Sequence, residues 1–216
     1  MKSMLIIGMG QFGHHLCSKL VSLGNEVMIV DIREEMIEDL VPYVTSAKIG
    51  DCTNVDVLKS LGIGNFDEIF VCIGTNFQSS LEITSLVKEL GGKRVISKAN
   101  RDIHAKFLLR NGADEVVYPD RDVAEKIAVR YSANHVYDYI EVSDDFSIYE
   151  IRPMPGWIGK SIKELDIRAK YHVSVMATKK DGNVNALPPA EYILREDEHL
   201  MVIGKKVNID RLLKSF

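Results

Sequence analysis

Three glycines in the first part of the chain have a spacing suited to holding phosphate groups. They form a GxGxxG motif that follows the apolar run Met4–Ile7 and opens an amphipathic stretch. In that context the first glycine permits a tight turn, the second admits a pyrophosphate close to the backbone, and the third lets a helix pack on the sheet. The free N–H groups at the helix start then face the phosphates. The motif predicts a nucleotide-phosphate loop comprising Gly8, Gly10, Gln11, Phe12 and Gly13.

An acidic residue ends the next apolar run. Asp31 follows Gly13 by about 18 residues, close to the roughly 20 expected of a dinucleotide-binding unit. A carboxylate there can accept hydrogen bonds from both ribose hydroxyls and would repel a 2′-phosphate, which favours NAD over NADP. Arg33 leaves two interpretations open, because it could accommodate that phosphate or be an ordinary surface arginine. With Ile32 between them, these residues form the predicted ribose side of the site.

Residues after three further predicted strands could line the same crevice, because ligands bind at the carboxyl ends of parallel strands. Asp51 could accept from an adenine amino group, or Asp51 or Thr53 could simply cap the next helix. Gly74 either allows close backbone approach or forms a plain turn. Lys98 could reach phosphates or be an ordinary loop lysine. The predicted lining residues from these strand ends are Asp51, Cys52, Thr53, Ile73, Gly74, Thr75, Asn76 and Lys98.

Positioning such a site requires alternating strands and helices, and the first 120 or so residues show that order. Short apolar runs with little alternation predict strands buried on both faces: Met4–Ile7, Glu26–Val30, Ala47–Ile49, Glu68–Ile73, Arg94–Ser97 and Glu115–Tyr118. Amphipathic stretches between them predict helices at Phe12–Leu23, Glu34–Leu40, Val55–Leu61, Ser79–Leu90 and Ile103–Arg110. The order favours an α/β fold with a Rossmann-like, doubly wound parallel sheet.

The pattern changes after Pro119. Asp122–Ala133 predicts a further helix with no parallel strand to follow it, and His135–Ser143 is interpreted as a hinge. The remainder predicts a small α+β domain, with an exposed-edge strand at Phe146–Ile151, strands at Tyr171–Thr178 and His199–Ile203, a turn at 181–183, a capping box opening the helix Ser161–Leu165, and a closing helix at Val207–Lys214. We therefore expect a nucleotide-binding domain at residues 1–134, ending in the helix Asp122–Ala133, and a second domain at residues 141–216.

Composition narrows the function. The net charge of −4, from 27 basic and 31 acidic residues, argues against a nucleic-acid partner. Cys17, Cys52 and Cys72 lie far apart in sequence, which favours buried free thiols over a zinc site or disulfides. No apolar run approaches the length of a membrane span, so we expect a cytoplasmic protein. No hydrolase, metalloprotease or Walker motif is present, which favours a binding module.

With these residues in view, the sequence resembles the TrkA/KtrA family of RCK proteins, the cytosolic regulatory subunits of potassium uptake systems. The resemblance covers essentially the whole chain. It rests on Ile7–Gly13, Val30–Asp31, Gly50–Thr53, Ile73–Ser80, Gly112–Asp114, Tyr118–Pro119 and, most specifically, Trp157–Tyr171.

The resemblance implies a function. Such subunits form homodimers that assemble into octameric rings beneath a membrane potassium translocator, and ATP, ADP or NAD(H) changes the ring geometry. The glycine loop would hold the phosphates, Asp31 the ribose, and Asp51 and Thr53 the adenine side. The helix Asp122–Ala133 would cross over to a second subunit. The alternatives are a small NAD-dependent oxidoreductase and an assembly module that keeps its nucleotide as a structural ligand.

The resemblance also implies two further ligands and one departure. In some members a carboxylate after the last strand joins a divalent cation, Mg²⁺ or Ca²⁺, and Asp120 has that position here. In some relatives the C-terminal domain binds cyclic di-AMP, and the matching region contains Arg168, Ala169, Lys170, His172 and Pro188. Members that distinguish ATP from ADP often have an arginine where this chain has Gln11, whose neutral amide cannot make the same charge-assisted bond to a terminal phosphate.

Overall fold

The computed structural model describes residues 1–132 and 135–216. It divides into two compact units, Met1–Arg121 and Asp122–Phe216. The predicted domain end at residue 134 and the predicted helix end at Ala133 lie outside the described residues. Within the described ranges, no helix is both long and apolar enough to cross a bilayer.

The first unit contains a six-stranded parallel sheet in the order β3-β2-β1-β4-β5-β6, which is the doubly wound order. Its strands are β1 (Ser3–Ile7), β2 (Glu26–Asp31), β3 (Ser46–Ile49), β4 (Glu68–Val71), β5 (Val95–Lys98) and β6 (Glu115–Val117). The intervening helices are α1 (Gln11–Ser22), α2 (Val55–Leu61), α3 (Phe77–Glu89) and α4 (Asp102–Arg110). A fifth helix, α5 (Pro119–Ser132), begins at the end of this unit. The predicted Rossmann-like sheet is confirmed.

The central strand β1 explains why the predicted strands lack alternation. Leu5 and Ile7 pack into one apolar core with residues of α2 and α3, whereas Ile6 packs into a second core with Cys17 of α1. Both faces of the strand are therefore buried, and apolar residues occupy every position. Because helices cover both faces of the sheet, a ligand is expected to bind at the carboxyl ends of the strands.

One predicted helix of this unit is wrong. Glu34–Leu40 forms a short 3₁₀ helix at Glu34–Met36 followed by turns. The shorter backbone bonds here span three residues, from Ile37 N to the Glu34 carbonyl and from Leu40 N to the Ile37 carbonyl, both at 3.0 Å. The two that span four residues, from the next N–H group to the same carbonyls, are longer, at 3.3 and 3.2 Å. The turns bury Ile37 and Leu40 against the core beside β2 without completing an α-helix.

The second unit is built on a five-stranded sheet in the order β10-β9-β11-β8-β7, with antiparallel pairs. The strands are β7 (Val136–Glu141), β8 (Phe146–Ile151), β9 (Val173–Lys180), β10 (Asn183–Ala186) and β11 (His199–Lys205), and the helices are α6 (Ile162–Leu165), α7 (Ile167–Tyr171) and α8 (Lys206–Leu213). Trp157, Leu165, Ile167 and Leu212 are among the buried residues of one apolar core. This arrangement matches the small α+β domain expected.

Three predictions within this unit are wrong in detail. The segment His135–Ser143 is not a hinge, because Val136–Glu141 is a strand that pairs with β8, with one register shift between Val136 and Asp138. That pairing makes Phe146–Ile151 an internal strand, between β7 and β11, instead of an exposed edge. The strand predicted from Tyr171 starts at Val173, because α7 continues to Tyr171 and His172 has the left-handed backbone that ends it. The capping box of Ser161 and Glu164 is confirmed.

Candidate functional site

A cavity of about 810 Å³ lies at the carboxyl ends of the parallel strands in the first unit. It collects residues that follow β1, β2, β3, β4, β5 and β6, as expected for a doubly wound sheet. The predicted residues that line it are Gly8, Gly10, Gln11, Phe12, Asp31, Ile32, Arg33, Asp51, Cys52, Thr53, Ile73, Gly74, Thr75, Asn76, Lys98 and Asp120.

The three motif glycines have distinct physical roles. Gly8 has a φ of +93°, a conformation that side-chain-bearing residues rarely adopt. Gly10 precedes α1 as its N-cap, and a Cβ built there meets no heavy atom within 4 Å. Gly13 is buried under the loop, and its Cβ would lie 2.2 Å from the Gly8 carbonyl oxygen. Gly13 is therefore the one predicted loop residue that supports the cavity from beneath.

Asp31 braces the glycine loop from the end of β2. Its Oδ2 accepts a hydrogen bond from the backbone N–H of Met9 at 2.7 Å, and its Oδ1 accepts one from the N–H of Arg33 at 3.0 Å. The Asp31 side chain is only 10% exposed, whereas that of Arg33 is 58% exposed. The carboxylate is thus held in place beside the loop, and each of its oxygens keeps a lone pair for a further donor.

The residues that follow β3 decide whether Asp51 or Thr53 caps the next helix. Asp51 Oδ1 accepts from the backbone N–H and the hydroxyl of Thr53, at 2.9 and 2.7 Å, and the hydroxyl and backbone bonds lower the pKa of Asp51. The cap of α2 is Asn54, whose side chain accepts from the N–H of Asp56. Asp51 and Thr53 therefore do not cap the helix and remain at the cavity rim.

The residues between β4 and α3 also line the cavity. Asn76 caps α3 by accepting from the N–H of Ser79 at 3.1 Å, and Ser79 also lines the cavity. Gly74 lies against Asn100, since a Cβ on Gly74 would be 2.9 Å from Asn100 Oδ1. The residue that closely approaches Gly74 in this structure is Asn100, and approach of a ligand to Gly74 stays a prediction.

Charge in the cavity is mixed. Arg33 and Lys98 are its basic lining residues, and the Lys98 ammonium lies 5.6 Å from the centre of the Phe12 ring. The acidic ones are Asp31, Asp51 and Asp120. Over residues 1–132 and 135–216, no group of three His, Cys, Asp or Glu side chains is placed to hold a metal ion by itself.

Cys52 and Cys72 contribute to the wall without reactive character. Both are buried, and burial raises the pKa of each thiol to about 12. The thiol is the dominant form at neutral pH, whereas nucleophilic chemistry needs the thiolate. Their contribution to the cavity is therefore apolar packing.

Sequence reasoning missed several lining residues. These are Ile7, Val30, Gly50, Cys72, Ser79, Ile83 and Asn100. Gly50 could have been found, because it directly follows the predicted strand Ala47–Ile49 and precedes Asp51. Asn100 could also have been found, because it follows the end of β5 by two residues. Its hydrogen-bond partners, Gly74 and Tyr118, had no local signal.

The residues proposed for a second ligand belong to the second unit. Arg168, Ala169 and Lys170 lie on α7 and His172 directly follows it, all exposed. Pro188 follows Leu187, whose N–H donates to the Met176 carbonyl of β9. Their common role in binding stays a prediction.

Two family models match the chain. The TrkA-N domain matches residues 4–119 and the TrkA-C domain matches residues 146–216. The chain belongs to the TrkA family. The TrkA-N match contains the glycine loop and every lining residue of the cavity except Asp120, which lies just beyond it.

Curated relatives extend over nearly the full length of this TrkA-family chain. It is 39% identical over 213 residues to the Ktr system potassium uptake protein C of Bacillus subtilis, covering 99% of this chain and 96% of the relative. It is also 39% identical to the Ktr system potassium uptake protein A of the same organism, covering 97% and 95%. The GsuK channel has the same fold, with a TM-score of 0.72 and 21% identity, and the match covers 98% of this chain and 38% of the channel chain.

Proposed function

We propose that this TrkA-family chain is a nucleotide-binding regulatory subunit of a potassium uptake system. The observation that carries the proposal is the cavity at the strand ends, where a glycine loop, a braced carboxylate and two basic side chains converge. The Ktr potassium uptake proteins, matched over almost their whole length, support potassium transport as the process.

The proposed ligand is an adenine nucleotide, ATP, ADP or NAD(H). GsuK has been solved bound to NAD and bound to ADP. In this chain the loop from Gly8 to Gly13 would hold the phosphates, Asp31 the ribose hydroxyls, and Asp51 with Thr53 the adenine side. Gln11 supplies no charge to a terminal phosphate, which leaves Lys98 as the cation best placed to approach one.

Two further ligands are part of the proposal, a divalent cation and cyclic di-AMP. Asp120 lines the cavity and would contribute one carboxylate to a Mg²⁺ or Ca²⁺ ion held jointly with the nucleotide. In the second unit, Arg168, Ala169, Lys170, His172 and Pro188 would form the region for cyclic di-AMP.

The proposed partner is a membrane potassium translocator. The chain would form homodimers that assemble into an octameric ring on the cytoplasmic side of that translocator, with no nucleic acid involved. Regulation then requires that the nucleotides bind the conformations of the ring with different affinities, because a ligand with equal affinity for both shifts nothing. No catalytic step is part of this role.

The proposal is tested by native mass spectrometry of the purified chain, alone and with ATP, ADP or NADH, followed by potassium flux with the translocator. We expect an oligomer that carries one nucleotide per chain and a flux that depends on which nucleotide is bound. A monomer without nucleotide affinity would refute the proposal, and NADH oxidation on addition of a carbonyl substrate would favour the oxidoreductase. Tight retention without exchange would favour a structural nucleotide.

A matched pair of variants makes this test specific. Asp31→Asn should weaken ATP and NADH binding by about tenfold, because a charge-assisted bond is roughly twice as strong as a neutral one. Asp39→Asn is the control, since Asp39 is a surface carboxylate paired with His14 and does not line the cavity. Equal affinities of the two variants in titration calorimetry would remove Asp31 from the ribose site.

A further inference from the structure

Asn100 connects two strand ends that are far apart in sequence. Its side-chain Nδ2 donates a hydrogen bond to the backbone carbonyl of Gly74, in the loop after β4. Its own backbone carbonyl accepts a hydrogen bond from the hydroxyl of Tyr118, which directly precedes α5. One residue thus joins a loop of the cavity to the residue before the helix that leaves the sheet.

The Gly74 side of this connection leaves one polar atom without a protein partner. A Cβ on Gly74 would lie 2.9 Å from Asn100 Oδ1 and 3.2 Å from Nδ2, so the close approach depends on glycine there. Asn100 Oδ1 is buried, and within the part of the chain that the structure describes no donor reaches it. Buried acceptors are normally satisfied, and Asn100 lines the cavity, so a donor on a bound ligand is a suitable partner.

The Tyr118 side of the connection continues into the first turn of α5. The Arg121 guanidinium lies 4.8 Å from the centre of the Tyr118 ring, and its Nη1 lies 3.2 Å from Asp102 Oδ1 at the start of α4. Tyr118 itself is half-buried and does not line the cavity. Its hydroxyl can therefore be removed without changing any group that faces a ligand.

We infer that Asn100 and Tyr118 form a latch that couples nucleotide occupancy to the start of α5. The latch is the pair of hydrogen bonds that joins Asn100 to Gly74 and Tyr118 to Asn100. A ligand donor that satisfies Asn100 Oδ1 stabilises the amide in the orientation that holds Gly74. It therefore has a differential affinity for the latched state, which is what coupling requires. Both are positioning residues in this scheme, which rests on the proposed nucleotide-binding function.

The test measures ATP binding and the response of α5 separately, on the full chain. Titration calorimetry gives the ATP affinity, and hydrogen exchange of the amides within Pro119–Ser132 gives the response to saturating ATP. Tyr118→Phe keeps the aromatic ring against Arg121 and removes only the hydroxyl. We expect its ATP affinity to stay within about threefold of wild type, while the ATP-dependent change in α5 exchange is lost. Tyr43→Phe, at an exposed tyrosine of the same unit, is the control and should behave as wild type.

The outcomes separate the latch from the proposed function. No ATP, ADP or NADH binding by the wild type refutes nucleotide binding itself, and the latch with it. ATP binding without any change in α5 exchange refutes the latch alone. An unchanged α5 response in Tyr118→Phe, or a loss of ATP affinity beyond about tenfold, also refutes it, because the hydroxyl then acts elsewhere or in binding. Asn100→Ala is a second variant that tests the latch. At an ATP concentration that saturates it, this variant should show no ATP-dependent change in the hydrogen exchange of α5.

Discussion

The cavity of the first unit and the charged cluster of the second unit differ in how their polar groups are satisfied. In the second unit, Glu150 is only 8% exposed and accepts from Lys179 Nζ at 2.8 Å and from His199 Nδ1 at 2.7 Å. The His199 ring also stacks on Tyr137, with centroids 3.7 Å apart. The charges and hydrogen bonds of Glu150, Lys179 and His199 satisfy one another, so the cluster needs no ligand.

The cavity has the opposite character. Lys98 faces an aromatic ring, the oxygens of Asp31 keep unused lone pairs, and Asn100 Oδ1 has no donor among the described residues. Polar groups that are incomplete at the end of a sheet indicate binding, whereas polar groups that satisfy one another indicate structure. Charge alone would not have separated the two regions, since both contain acidic and basic side chains.

The largest expected effect comes from the support beneath the cavity. Gly13→Ala places a Cβ about where the Gly8 carbonyl must be, and should destabilise the first unit by about 3 kcal/mol and abolish nucleotide binding. Amide hydrogen exchange of β1 and α1 would report the loss. Gly10→Ala is the matched control, because its Cβ meets nothing within 4 Å and should leave stability nearly unchanged while it narrows the cavity. Equal stability of both variants would contradict the packing role of Gly13.

A middle-sized effect is expected at the cluster, and it depends on pH. Burial alone would raise the pKa of Glu150, but the hydrogen bonds from Lys179 and His199 outweigh it and lower the pKa overall. The ionised carboxylate is therefore stabilised by folding. Glu150→Gln should cost about 2 kcal/mol at pH 7.

The sign of the pH dependence follows from the lowered pKa. The wild type should have a higher free energy of unfolding than Glu150→Gln. That difference is fully present above the ordinary glutamate pKa of about 4.3 and is lost as pH falls through the lowered pKa of the folded state. Urea unfolding monitored by Trp157, the single tryptophan, would measure it in the second unit. Glu196→Gln, at an exposed position, is the control. A constant difference between pH 7 and pH 3 would show that the charge of Glu150 is not what stabilises the cluster.

The smallest effect is expected at the capping box, another set of groups in the second unit that satisfy each other. Ser161 Oγ accepts from the N–H of Glu164 at 3.1 Å, and Glu164 Oε2 accepts from the N–H of Ser161 at 2.8 Å. Ser161→Ala should destabilise the second unit by about 1 kcal/mol in the same urea experiment. Nucleotide affinity should not change, and a reduced affinity would break the distinction between the two regions.

Local signals explain how much of the first unit could be predicted. The glycine loop, the acidic residue at the end of β2 and the glycines and polar residues that follow the other strands are encoded in short segments. A parallel sheet brings all its carboxyl ends to one edge, so these segments converge once the strand order is known. The strands themselves were also predictable, because a strand that is buried on both faces needs a continuous run of apolar residues.

Interactions between distant segments decided the rest. The sequence by itself determined the glycine loop, the strands of the parallel sheet and the capping box, because each depends on residues that are close together in the sequence. Only the tertiary structure decided that His135–Ser143 contains a strand, that Phe146–Ile151 is internal, and that Ile37 and Leu40 pack from turns. It also placed Asn100 between Gly74 and Tyr118, because those hydrogen bonds span 26 and 18 residues and leave no trace in a local pattern.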